Sequence, residues 1–194
     1  MSLKFELGEY LTDVFVETGT RHGDNVIQAI HAGFPDIHGI EISRALHDIA
    51  KDRIGNELGR VSRRSNVMLY CGHSTVGLEH VCATVQHKRA TILLNARAGS
   101  GDAKDAAPNG AARPLLDEIR IIRRWFHDSL IPPIVMIGGI RHDPSPQPET
   151  ASPSLGEVVE ALLDLCDDYQ FRVLDDDTRR NVLAALPPTW TRVG

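Results

Sequence analysis

The sequence predicts an α/β domain in which a mostly parallel sheet carries helices on both faces. Three observations lead there. Short apolar runs rich in β-branched residues recur along the chain, and each of the first ones is followed by a segment whose apolar residues repeat at helical spacing. The first run ends in an acid and a turn bearing two glycines, the kind of turn that opens a ligand crevice at the carboxyl edge of an open sheet. Near the C-terminus the alternation stops, and two runs face each other across an acidic turn.

The first unit spans residues 14 to 25, Val-Phe-Val-Glu-Thr-Gly-Thr-Arg-His-Gly-Asp-Asn. Val14, Phe15 and Val16 suit a buried strand, Gly19 and Gly23 allow a sharp turn, and Asp24 is expected to cap a helix beginning at Asn25. Val26, Ile27, Ala29 and Ile30 form its apolar face, Gly33 stops it and Pro35 prevents its continuation. Before this unit, Phe5, Leu7, Tyr10 and Leu11 suggest that residues 1–13 form a short helix or arm covering the sheet.

A second strand closes at Glu41 and Ile42, and Ser43 caps a helix with Leu46, Ile49, Ala50 and Ile54 on one side. The third run, Asn66 to Cys71, leads through Gly72-His73-Ser74 into a helix with Leu78, Val81, Cys82 and Val85. Ala90 to Leu94 makes a fourth strand, ending in Asn95-Ala96-Arg97 before a Gly-, Ala- and Asp-rich loop. A lid loop over 98–112 and simple disorder are equally open readings of that stretch.

From Pro114 a helix carries Leu115, Ile119, Ile122 and Phe126 in a core stripe, with Trp125 beside it. Pro132 and Pro133 introduce a fifth strand, Ile134 to Ile137, ending at Gly138-Gly139 and followed by Ile140-Arg141-His142. Ser154 and Glu157 make a capping box for a helix that turns Leu155, Val158, Val159, Leu162 and Leu163 inward. Tyr169 to Leu174 and Val182 to Leu186 then close the chain as a hairpin across Asp175-Asp176-Asp177; those aspartates suit an exposed turn better than a calcium site.

Composition limits the partners. A length of 194 residues fits one domain, residues 1–194, and a net charge of −5 lacks the basic excess that holds a phosphate backbone, so nucleic acid is not the expected substrate. A local basic patch such as Arg120, Arg123 and Arg124 stays open. Nine scattered histidines form no ligand motif, the three cysteines read as buried free thiols, and no run reaches the length that crosses a bilayer. The expectation is a cytoplasmic protein without a metal site, with homo-oligomerisation left open.

The chemistry concentrates at two acids. Glu17, at the end of the first strand, would repel a pyrophosphate but attract an ammonium or sulfonium, and Glu41 follows Gly19 at about the spacing where a carboxylate meets ribose hydroxyls. The plainer alternatives are a turn carboxylate for Glu17 and a solvated strand end for Glu41. The motifs VETGTRHGD and IHGIEIS together resemble the first two motifs of class I S-adenosylmethionine (SAM)-dependent methyltransferases, especially a bacterial group with an ETGT-x-x-GD opening.

The resemblance implies a doubly wound, mostly parallel seven-stranded Rossmann-like sheet with a terminal antiparallel hairpin. It implies SAM as cofactor, held by Glu17, Gly19, Thr20, Gly23, Glu41, Ile42, His73 and Ser74, and a small-molecule acceptor. The group usually has Gly-Asp-Ser after the third strand, where this chain has Gly72-His73-Ser74. It usually has Asp-Ala-His after the fourth strand and paired aspartates after the fifth, where this chain has Asn95-Ala96-Arg97 and Gly138-Gly139. A metal-assisted or aspartate-based transfer is thereby put in doubt, because asparagine is no carboxylate base and arginine stays protonated.

Three explanations stay open: an acceptor that needs no base, such as a carboxylate or neutral amine; an anionic acceptor held by Arg97 and Arg141 while His142 or His73 takes the proton; or a degenerate nucleoside-binding or interaction module. The candidate catalytic residues are Asn95, Arg97 and His142. An NAD-binding protein is the weaker alternative, since the third fingerprint glycine is missing.

Overall fold

The first strand, β1 (Val14–Thr18), is buried along its whole length and lies at the centre of the sheet. The computed structural model describes residues 5–62, 65–95, 114–140, 153–174 and 181–191. The predicted alternation of strand and helix is present: α1 (Asp24–Ala32), β2 (Asp36–Glu41), α2 (Arg44–Leu58), β3 (Asn66–Cys71), α3 (Ser74–Val85), β4 (Ala90–Leu94), α4 (Leu115–Phe126), β5 (Ile134–Ile140) and α5 (Leu155–Leu163). The hairpin strands are β6 (Gln170–Leu174) and β7 (Asn181–Leu186).

The seven strands form one sheet in the order β3-β2-β1-β4-β5-β7-β6. The first five run parallel, and β7 enters antiparallel between β5 and β6. The order reverses between β1 and β4, which makes the carboxyl ends of β1, β2 and β4 the switch point of a doubly wound sheet. The sheet is thus Rossmann-like, mostly parallel, and finished by an antiparallel hairpin.

Side-chain alternation divides the core in two. Val14, Val16, Ile92 and Leu94 pack beneath α3, α4 and α5 with Leu78, Ile122, Phe126 and Leu162. Phe15, Ile37, Leu93 and Met136 face α1 and α2 with Val26, Ala50 and Ile54, and a 3₁₀ turn over Leu7–Tyr10 adds Leu7 and Tyr10 to that side.

Several local details differ from expectation. Helix α1 starts at Asp24, one residue early, because Gly23 takes the N-cap position in the left-handed region at φ 83°. Asp24 is then free to pair with Arg53 at 2.8 Å instead of capping. Gly33 ends the helix as predicted, left-handed at φ 93° and donating to the carbonyls of Ala29 and Ile30. Ile42 lies one residue past β2, and Ile49, Leu155 and Leu163 are exposed rather than core.

Strand β5 runs on through Gly138 and Gly139 to Ile140, with a register shift there and Gly139 at φ 77°, so the two glycines build a bulge in the strand rather than end it. Of the three free thiols only Cys82 is fully buried; Cys71 and Cys166 are half-buried. The 98–112 loop and the Asp175-Asp176-Asp177 turn lie outside the described residues. Among those residues, no helix is long and apolar enough to cross a membrane.

Candidate functional site

The switch point is built where the β1–α1 turn folds over the end of β2. Gly19 and Thr20 both donate their backbone N–H to the Ile40 carbonyl, at 2.8 and 3.1 Å, and Gly23 N–H returns to the Thr20 carbonyl at 3.0 Å. Gly19 and Arg21 take left-handed conformations at φ 71° and 54°. The turn is close-packed: a Cβ on Gly23 would stand 2.9 Å from Ile54 Cδ1, and one on Gly39 would stand 2.8 Å from Thr20 Oγ1. The left-handed backbone favours glycine at position 23, and a methyl group there would also have to displace the end of the Ile54 side chain.

Glu17 is fully buried. Its Oε1 accepts a hydrogen bond from Asn25 Nδ2 at 2.6 Å and a longer one from Asn95 Nδ2 at 3.5 Å, while Oε2 has no partner. Burial pushes its carboxyl up to about 7, the two amides pull it back, and the nearby Glu41 charge raises it further. The acceptor Oδ1 of Asn95 is also buried and without a partner, as is Thr20 Oγ1.

Glu41 is held differently. Its Oε2 accepts from the Arg21 N–H at 2.7 Å and its Oε1 from the Ser43 N–H at 2.9 Å, so this carboxylate organises the turn. Each oxygen keeps a further acceptor site, because an ionised carboxylate offers about four. Ile42, beside it, leaves a large apolar side chain 42% exposed.

The β3–α3 turn closes the other end. Gly72 N–H donates to the Glu41 carbonyl at 2.9 Å, which ties this turn to the end of β2. His73 occupies the N-cap of α3 without a capping hydrogen bond from its side chain, and Ser74 is buried in the first helical turn. Ser74 is therefore not the cap.

The structure gathers Glu17, Gly19, Thr20, Gly23, Glu41 and Asn95 around one switch point and joins the His73–Ser74 turn to it. It places Asn95, expected on the acceptor side, directly against Glu17. Its own N–H donates to the Thr18 carbonyl at 3.1 Å, so the chain leaves β4 in register with the end of β1. Arg97, Arg141 and His142 lie outside the described residues. Among those described, no group of three or more His, Cys, Asp or Glu residues is placed to hold a metal ion.

Two residues of this neighbourhood escape a reading of motifs. Asn25, buried in the first turn of α1, is the closest partner of Glu17. Glu118, 1% exposed on α4, lies in the apolar stripe of Leu115, Ile119 and Ile122, and a carboxylate on such a stripe is the signal that marks it. The arginines considered as a basic patch each have a partner: Arg120 pairs with Asp117 at 2.6 Å, Arg124 with Glu79 at 2.9 Å, and Arg123 donates to the Asp164 carbonyl at 3.0 Å.

No protein-family model matches this sequence, and no curated protein does. Solved structures do resemble it. Precorrin-6y C5,15-methyltransferase from Geobacter metallireducens superposes with a TM-score of 0.58 at 15% identity, over 93% of this chain and 83% of that one. The methyltransferase domain of bacterial CtHen1-C gives 0.54 at 12% identity, over 93% and 92%. Magnesium protoporphyrin IX methyltransferase from Synechocystis with bound SAM gives 0.54 at 15% identity, over 93% and 72%. At such identities the likeness speaks for architecture alone, and with the strand order above it establishes that this chain has the Rossmann-like fold of these methyltransferases.

Proposed function

We propose that this protein binds SAM across the carboxyl ends of β1, β2 and β4 and methylates a small-molecule acceptor. The observation that carries the reading is the pair of buried acceptors, Glu17 Oε2 and Asn95 Oδ1, that have no donor. A buried acceptor left unsatisfied costs about 1–3 kcal/mol, and a ligand ammonium supplies the missing N–H groups together with a compensating charge. The crevice thus matches a compound that is cationic at the Glu17 end.

In this arrangement Glu17, Asn25 and Asn95 hold the amino-acid end of the cofactor, and Glu41 accepts from ribose hydroxyls. Ile42 covers one face of the base, with His73 and Ser74 at its edge. Bound SAM supplies an activated methyl group on a sulfonium; the protein contributes alignment and, for a hydroxyl acceptor, removal of a proton. Because Asn95 serves Glu17 rather than acting as a base, the reading favours acceptors that are nucleophilic without deprotonation, such as carboxylates and neutral amines. An anionic acceptor held by Arg97 and Arg141 fits the same logic.

The replacement of an expected aspartate by Asn95, and its engagement with Glu17, favours one second reading: a nucleoside-binding module without transfer. A melting series decides the shared part. SAM or its demethylated product S-adenosylhomocysteine, at millimolar levels, should raise the melting temperature by an amount equivalent to a few kcal/mol, and Glu17→Ala should abolish that rise. No rise with either ligand refutes both readings. Release of labelled methyl to a panel of carboxylic acids and amines then separates the enzyme from the module.

A further inference from the structure

A cleft opens at the other end of the sheet from the switch point, where β4 and β5 begin and the chain approaches β1. Its volume is about 120 Å³, its apolar walls include Leu11, Ile131, Pro132 and Pro187, and its polar lining includes Arg89 and Trp190. Strand β1 is five residues long and rises by about 3.3 Å per residue, so roughly 16 Å of sheet separates the cleft from the carboxyl ends of the strands. A ring-sized occupant does not reach from one to the other.

The polar groups of the cleft lack acceptors, not donors. Asp13 is taken up by Arg89, accepting from its backbone N–H and its Nε at 3.2 Å each and from Nη2 at 2.9 Å. This fork uses two of the five N–H groups of the guanidinium and fixes its plane, while the side chain stays 58% exposed, so three donors remain for a ligand. Trp190 stacks on Tyr10, carries the Arg172 guanidinium over its ring at 4.8 Å, and has its Nε1 buried without a partner. Among the described residues no carboxylate pairs with Arg172, so the surroundings of the cleft are cationic in a chain whose net charge is −5.

We infer that this cleft binds a small carboxylic acid whose body is one apolar ring or a short branched chain. The carboxylate accepts from the free N–H groups of Arg89, whose planar fork suits two parallel hydrogen bonds and whose orientation Asp13 has already set. The body packs against Ile131, Pro132 and Pro187. Volume sets its size: a cavity of about 150 Å³ holds benzene, so one of about 120 Å³ that is open at its mouth takes a single ring and no second. The inference is independent of what the switch point holds.

Calorimetric titration with benzoate, benzamide and acetate tests it on the full chain as wild type, Arg89→Met and Ile131→Trp. Benzamide keeps the ring without the charge, acetate keeps the charge without the ring, Arg89→Met removes the donors, and Ile131→Trp fills the cleft. Wild type should bind benzoate about 10- to 100-fold more tightly than benzamide, the range of hydrogen bonds to a charged group, and more tightly than acetate. Arg89→Met should bring benzoate down to the level of benzamide, and Ile131→Trp should abolish binding of both. No benzoate binding to wild type at millimolar levels, equal affinity for benzoate and either comparison ligand, or a preference unchanged in Arg89→Met overturns the inference. If Arg89→Met does not fold once Asp13 is unpaired, Ile131→Trp decides, and benzoate bound there as in wild type overturns it.

Discussion

Asn25 and Asn95 hold Glu17 by one oxygen and leave the other empty, and that asymmetry makes the residue sensitive to protons. Its folded value near 7 lies above the ordinary 4.5. Below that ordinary value both folded and unfolded chains are protonated and nothing is lost. As pH rises the unfolded chain ionises first, so stability falls and the deficit is complete above 7, about 3 kcal/mol for a shift of this size. Glu17→Gln should therefore be more stable than wild type in urea unfolding at pH 8, with the gap closing towards pH 4.5. The same substitution should weaken SAM binding at least tenfold, since an amide offers no charge to an ammonium. Glu118 follows the same sign, with its value also near 7, and Glu118→Gln should flatten the pH dependence of stability further.

Each helix at the crevice is positioned by its ends. Gly23 starts α1 with a left-handed backbone, and a methyl group there would push on the end of Ile54, so Gly23→Ala should cost about 1–3 kcal/mol and shift the amide of Asn25 away from Glu17. Thermal unfolding measures the first effect. Loss of the pH dependence attributed to Glu17 would reveal the second. Helix α4 is held by Ile119, Ile122 and Phe126, all essentially inaccessible. Ile122→Ala should cost about 2–5 kcal/mol in denaturant unfolding and loosen the placement of Glu118, because cavities in such a stripe are only partly closed by relaxation.

The sheet as a whole depends on its closing hairpin. Strand β7 covers β5 along Val135 to Gly138, and Val182, Ala184 and Leu186 complete the α1 and α2 side of the core. The ends of the described chain also meet: Tyr10 stacks on Trp190 at 5.8 Å, and Arg172 lies 4.8 Å over the same indole. A chain truncated after Leu165 would leave β5 as a long apolar edge and should appear in the insoluble fraction on expression, whereas loss of Trp190 alone should leave it soluble.

Local patterning in the sequence determined the strands and helices, the stop at Gly33, the Ser154–Glu157 cap, the closing hairpin and the two acids at the ends of β1 and β2. These follow from residue spacing over a few positions, and a span of that length is readable without knowing the fold. Only the tertiary structure decided that Asn25 and Asn95 share one oxygen of Glu17, that Glu41 is occupied by two backbone amides, and that Glu118 is buried beside Thr18 and Ser74. These arrangements join residues from separate strands and helices, and the crossovers and strand order that bring them together are set by packing of the whole sheet rather than by any one segment.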